Sequence, residues 1–334
     1  FLALGILFVW LTIKDIKAEE WSNIKNSLKN ARHWLIIPVF LLLLLSHYSR
    51  AIRWKLLMET LGYKPSTFNT WAAVMIGYLV NAGVPRLGEV IKCTLLAKYE
   101  HVRADRLVGT IVVERVVDLV SLIIIFILAL LFQWDVIGGY TMGLISDFFR
   151  TKTGEFSITK TIIIFGSVIT FIILFYIILK RFGHIDIIAR IKNIVKGILM
   201  GLNSIRLIKR KALFIFHSVF IWLLYLLSTT AGIYALQETD HLGIAGGITT
   251  LAVGSVGMIL TPGGIGAYPL LVAKLMELYG LDFNTTGTAL GWLLWTVQTI
   301  IVLVGGLVFS GLFSYYNKKR KFENREYYQA ENIN

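Results

Sequence analysis

Ionisable side chains stand in this sequence where a membrane-spanning chain can least accommodate them. Arg50 and Arg53 lie one helical turn apart at the end of an apolar run, and Arg86 and Glu89 sit together at an interruption in the next. Glu114, Arg115 and Asp118 fall about two turns into a third run. Charges at such depth are costly and face a bundle interior or a wet cavity. Arg115 and Asp118 are spaced to pair on one helix face, whereas Glu114 and Asp118, four apart, repel unless a cation from elsewhere sits between them. Arg50, Arg53 and Arg86 are the cations available for that place. An arginine fork also takes phosphate or carboxylate through two parallel bonds. The chemistry on offer is recognition of an anionic headgroup by Arg50, Arg53 and Arg86, supported by Glu89, Glu114, Arg115 and Asp118. The same residues also read as an ion-pair network that pins helices together.

Two segments cannot continue a helix. One runs Asn81-Ala82-Gly83-Val84-Pro85-Arg86-Leu87-Gly88-Glu89, the other Thr261-Pro262-Gly263-Gly264-Ile265-Gly266-Ala267-Tyr268-Pro269. Broken backbone is tolerated at membrane depth only against protein or a wet cavity. Asn81, Gly83, Pro85 and Gly88 are the hinge candidates of the first break, and Pro262, Gly263, Gly264, Gly266 and Tyr268 those of the second. Helix N-termini beside the breaks would add N–H donors for an anion.

The elements that must position these groups follow from charge. The chain has 334 residues, 56% hydrophobic and only 16% charged. No Asp, Glu, Lys or Arg occurs in 161–179, 212–237, 242–273 or 283–317. Each run is long enough for a helix to cross a bilayer, and none shows the alternation of a membrane β-barrel. The fold class is all-α: a polytopic helical membrane protein with about six spanning helices and two re-entrant hairpins. Residues 1–13 read as the end of a truncated first helix. The net charge of +13 reflects basic loops on the cytoplasmic face and not a nucleic-acid partner. With a single cysteine, no CxxC pair and no phosphate-loop motif, neither a metal nor a cofactor is expected.

Loop charge sets the path. Segment 180–211 holds nine basic residues and one acid, and the tail 318–334 opens Lys-Lys-Arg-Lys, so both belong inside. Spans at 34–57, 107–132, 161–179, 212–236 and 286–315 then alternate in direction. One hairpin opens to the cytoplasm around residues 81–89 and the other to the outside around residues 261–269. The halves are 1–132, with an interfacial helix at 14–33, and 161–317, with one at 183–211; an outer loop at 133–160 joins them. Their orientations are opposite, the arrangement of transporters that bind cargo at helix breaks.

Arg50-Ala51-Ile52-Arg53-Trp54, Pro85-Arg86-Leu87-Gly88-Glu89, Glu114-Arg115-Val116-Val117-Asp118 and Pro262-Gly263-Gly264-Ile265-Gly266-Ala267, in this order, resemble the lysylphosphatidylglycerol synthase transmembrane-region family. That resemblance implies a flippase-like protein of the bacterial inner membrane that moves an anionic lipid or lipid-linked phosphate between leaflets, with its C-terminus in the cytoplasm. In two-part members a soluble C-terminal domain transfers lysine onto phosphatidylglycerol; the polar tail 318–334 is no such domain, so no enzymatic activity is expected of this chain. The alternatives are an intramembrane enzyme using the same acids on a lipid or polyprenyl phosphate, or a partner that presents lipid to a separate lipid-modifying enzyme without transporting it.

Overall fold

The computed structural model describes residues 2–139 and 207–331, with scattered positions between them. The expected span 161–179, the interfacial segment 183–211 and the outer loop 133–160 therefore lie largely outside the described residues. Among those described there is no strand. The helices are α1 (Leu2–Ile13), α2 (Ala18–Lys29), α3 (Ile36–Glu59), α4 (Thr67–Gly83), α5 (Leu87–Glu100) and α6 (Ala104–Phe132). After the gap come α7 (Lys211–Ile233), α8 (Gly243–Leu260), α9 (Ala267–Leu278) and α10 (Thr288–Glu331). Five segments among the described residues are long and apolar enough to cross a membrane: His33–Glu59, Ala104–Phe132, Lys211–Ile233, Gln237–Leu260 and Phe283–Arg320.

Two details of the helix ends have local causes. The polar tail after residue 317 is helical, since α10 runs on to Glu331; Lys, Arg and Glu are good helix formers and no Gly or Pro intervenes. The breaks are also narrower than expected. Asn81 and Gly83 still belong to α4, Gly88 and Glu89 to α5, and Tyr268 and Pro269 to the first turn of α9. Proline is tolerated there because its missing N–H would have no partner in the first turn.

Polar contacts at the helix ends define two faces. On one, Glu59 pairs with Arg210, Asn69 donates to Glu100, and Arg320 reaches Glu100 at 2.9 Å. Asn69 and Asn317 exchange amide bonds at 3.0 Å, so the base of the α4–α5 hairpin and the far part of α10 share this face. On the other face, Glu20 of α2 accepts from Asn284 at 3.2 Å, Ser27 donates to Glu238 at 2.7 Å and Arg32 pairs with Asp240 at 2.8 Å. Both ends of the α8–α9 hairpin thus meet α2, whose Ile24 is buried with Leu236, Val272 and Leu290. The two hairpins open to opposite faces, and their tips touch: a side chain at Gly263 would come 3.8 Å from the Ala82 backbone.

The two breaks share one backbone course. Val84 (φ −128°) and Thr261 (φ −131°) are extended, as a residue before proline must be. Pro85 and Pro262 follow, and then Arg86 (φ 65°) and Gly263 (φ 60°) turn left-handed. Glycine takes that conformation freely; an arginine there is strained by about 1–2 kcal/mol.

Candidate functional site

The charged cluster gathers where α3, α5 and α6 converge beside the first break. Arg50 and Arg53, a turn apart on α3, straddle the two acids of α6. Arg50 reaches Asp118 at 2.7 Å and Glu114 at 3.4 Å, and Arg53 reaches them at 2.6 and 3.6 Å. Cations from a neighbouring helix therefore sit between the two carboxylates, as their spacing requires. Two of the three expected cations do so; Arg86 does not. The side chain of Arg53 is fully buried and that of Glu114 is 1% exposed, so these charges are compensated by one another and not by solvent.

Arg115 pairs with Glu89 at 2.7 Å and not with Asp118. One position along a helix is a rotation of about 100°, which turns Arg115 away from α3 and towards α5 while Glu114 and Asp118 face α3. The fourth cation, Lys92, reads as a loop residue in the sequence. It lies in the middle of α5, buried, with its ammonium 2.9 Å from Glu114 and 4.5 Å from the Trp54 ring centroid. The sequence carries only a partial hint, the spacing of Glu89 and Lys92 by about one helical turn; the burial of Lys92 comes from the packing of Gly88 against α4.

A polar layer surrounds the ions. Arg50 donates to the Tyr225 hydroxyl at 3.3 Å, Trp54 Nε1 donates to Thr110 at 2.8 Å, and Ser49 and His217 Nδ1 are 2.8 Å apart. The His47 and Tyr78 rings lie 4.8 Å apart next to Arg50. Four cations (Arg50, Arg53, Lys92, Arg115) meet three carboxylates (Glu89, Glu114, Asp118), so the cluster carries one positive charge in excess. Arg50 Nε and Arg53 Nε and Nη1 are buried with no hydrogen-bond partner among the described residues; such donors are rare in folded proteins.

Arg86 stands apart from this network. It is exposed at the tip of the hairpin and pairs with no acid among the described residues. Next to it lies a cleft lined by Tyr78, Asn81, Gly88, Glu89, Lys92 and Arg115. The backbone donors expected beside the break are used locally: Leu87 N–H donates to Val84, Gly88 N–H to the Asn81 side chain at 2.8 Å, and Glu89 N–H to Arg86. What the tip offers an anion is side chains.

The second break carries no charge. Trp295 Nε1 donates to the Gly263 carbonyl at 2.8 Å, and α1 lies against Ile265 and Gly266. Pro262 and Gly264 are buried. Tyr268, 3% exposed, packs its ring on Gly254 while its hydroxyl accepts from Gln298 at 3.1 Å. Gly83 and Pro85 of the first break are exposed.

Several long apolar helices, two broken hairpins opening to opposite faces and a basic cluster at one break define a multi-pass helical membrane protein. The chain belongs to the family described as the lysylphosphatidylglycerol synthase TM region, which it matches over residues 1–320. It is also similar to a UPF0104 membrane protein of Methanocaldococcus jannaschii, 27% identical over 142 residues, which are 42% of this chain and 41% of that one. The match thus spans about two fifths of that relative's length. No solved structure matches the chain.

Proposed function

We propose that this protein binds an anionic lipid headgroup at the first break and moves the lipid between leaflets of a bacterial inner membrane, with the face of Asn69, Glu100 and Arg320 in the cytoplasm. The observation that carries this reading is Arg86. A charged side chain is held in a left-handed conformation that glycine supplies at the matching position of the other break, it is exposed, and it pairs with no acid among the described residues. Such strain is kept where it serves a site. Behind it, Arg50, Arg53 and Lys92 share only Glu114 and Asp118, a surplus of one positive charge, and Arg50 and Arg53 keep unsatisfied donors.

Arg86→Gly tests this directly. It removes the guanidinium and relieves the left-handed residue, so the thermal unfolding midpoint in detergent should hold or rise. Redistribution of a labelled phosphatidylglycerol between the leaflets of proteoliposomes should be lost. Arg86→Lys should recover only part of it, since an ammonium lacks the two-bond fork. Loss of stability together with movement would reject the headgroup role, and a chemically altered lipid would favour an intramembrane enzyme. Orientation has its own check. With buried Cys93 replaced by Ala, exposed Gln237→Cys should react with an impermeant thiol reagent in intact cells, and exposed Lys64→Cys should not. Labelling of Lys64→Cys would reverse the assignment of faces.

A further inference from the structure

We infer that Glu89 is an internal stand-in for the cargo's anionic group: its carboxylate holds Arg115, and it gives way to a phosphate by swinging onto Arg86. This inference rests on the headgroup reading above and names the subsite at which it operates.

Three observations lead to it. The first is the odd position of the Arg115–Glu89 pair within the cluster. Every other carboxylate there is shared by two or three cations, and Glu114 and Asp118 are 1% and 15% exposed. Glu89 has one cation, and the pair is 27% and 45% exposed. A single, partly exposed ion pair contributes little and is easily exchanged. The second is that Glu89 has another cation within reach. Arg86 is the N-cap of α5 and Glu89 lies three residues on, in its first turn. Arg86 is itself left-handed and not helical, so what brings it near Glu89 is its long, flexible side chain at the head of the same turn. Arg86 pairs with no acid among the described residues, so the carboxylate has a destination that costs it no charge compensation.

The third is what the exchange would uncover. Arg115, Lys92, Tyr78 and Asn81 line the cleft together with Glu89. Lys92 is already tied to Glu114, so Arg115 is the fork that becomes available when Glu89 leaves. Its planar guanidinium accepts a carboxylate and a phosphate through the same two-bond geometry. Before the exchange Glu89 balances Arg115 and leaves Arg86 without a partner; after it, Glu89 balances Arg86 and the phosphate balances Arg115. No acid is stranded at either stage. The guanidinium of Arg86 has two edges, so accepting Glu89 leaves one free for the same phosphate. The ligand class is a phosphate mono- or diester, from a lipid headgroup or from free phosphate.

The test is a binding titration of the purified full chain in detergent. The probes are dioctanoyl phosphatidylglycerol and, separately, inorganic phosphate, and the readout is the rise of the unfolding midpoint with ligand concentration. Glu89→Gln should bind the lipid about twofold to fivefold more tightly than the wild type, because the competing carboxylate is gone. Arg115→Gln should lose most of the affinity. If Glu89→Gln is not recovered folded, Glu89→Asp keeps the charge on a shorter arm, and it should bind at least as tightly as the wild type. Wild-type binding with Glu89→Gln no tighter would overturn the stand-in while leaving the headgroup reading intact. Failure of both proteins to bind either probe would overturn both. Equal gains for lipid and inorganic phosphate would support the stand-in and assign its ligand to the soluble anion.

Discussion

Glu114→Gln should cost about 3–5 kcal/mol of stability, enough to lower the unfolding midpoint in detergent sharply or to prevent recovery of folded protein. Glu114 is the central acid of the cluster. It takes Lys92 at 2.9 Å, Arg50 at 3.4 Å and Arg53 at 3.6 Å, and its side chain is 1% exposed. An isosteric amide keeps the volume and removes the charge, so any loss reports electrostatics and not packing. Asp118 then stands alone against Arg50 and Arg53, and Lys92 is left with only the Trp54 ring. Buried cations without a counter-charge are the expensive outcome of breaking such a pair. Replacing both members by groups without charge is often nearly neutral. Lys92→Met in the Glu114→Gln background should therefore recover most of the lost stability, since Glu114 is the acid that compensates Lys92. A Glu114→Gln protein as stable as the wild type would mean that water already reaches the cluster and screens it.

That cluster also marks how far the sequence could be read. The requirement that cations separate Glu114 from Asp118 follows from helical spacing alone, and α3 meets it with Arg50 and Arg53. The broken hairpins were legible for a similar reason, because proline beside glycine stops a helix whatever surrounds it. Spacing tells which residues share a face but not which neighbour that face meets. Spacing alone therefore matches Arg115 to Asp118 on its own helix, whereas α5 brings Glu89 within 2.7 Å of it. Lys92 was hidden because the first basic residue after an apolar stretch looks like a loop anchor. Its burial depends on the close approach of α4 and α5, which only the packed hairpin reveals. The left-handed turn at Arg86 was likewise unreadable from the arginine itself, although its match to Gly263 in the other break carried the hint.

Close approach within that hairpin rests on two facing glycines, Gly77 and Gly88, of which Gly88 is the tighter, and Gly88→Ala is expected to be among the most damaging single changes in the chain. A methyl group there would stand 1.8 Å from the Gly77 carbonyl oxygen, 2.7 Å from its carbon and 2.8 Å from Asn81 Cγ. Two of those three atoms are backbone, so no rotamer change relieves the clash. The limbs α4 and α5 must separate, which breaks the 2.8 Å bond from Gly88 N–H to Asn81 and shifts Glu89 and Lys92 relative to α6. Overpacking of this severity costs about 3 kcal/mol or more, and the lost alignment of Lys92 with Glu114 adds to it. Gly83→Ala, five positions earlier on the Asn81 side of the break, is the matched control. Nothing lies within 4 Å of its added methyl group, and alanine restrains the unfolded chain more than glycine does. The control should be neutral or stabilising by up to about 1 kcal/mol. Thermal unfolding of the two variants in the same detergent separates a requirement for space at residue 88 from a general need for glycine near the break. If Gly88→Ala unfolds with the wild type, the two limbs do not touch at Gly77. Lys92 would then be free to leave the cluster, and the excess positive charge that draws a headgroup to this break would no longer be held in place.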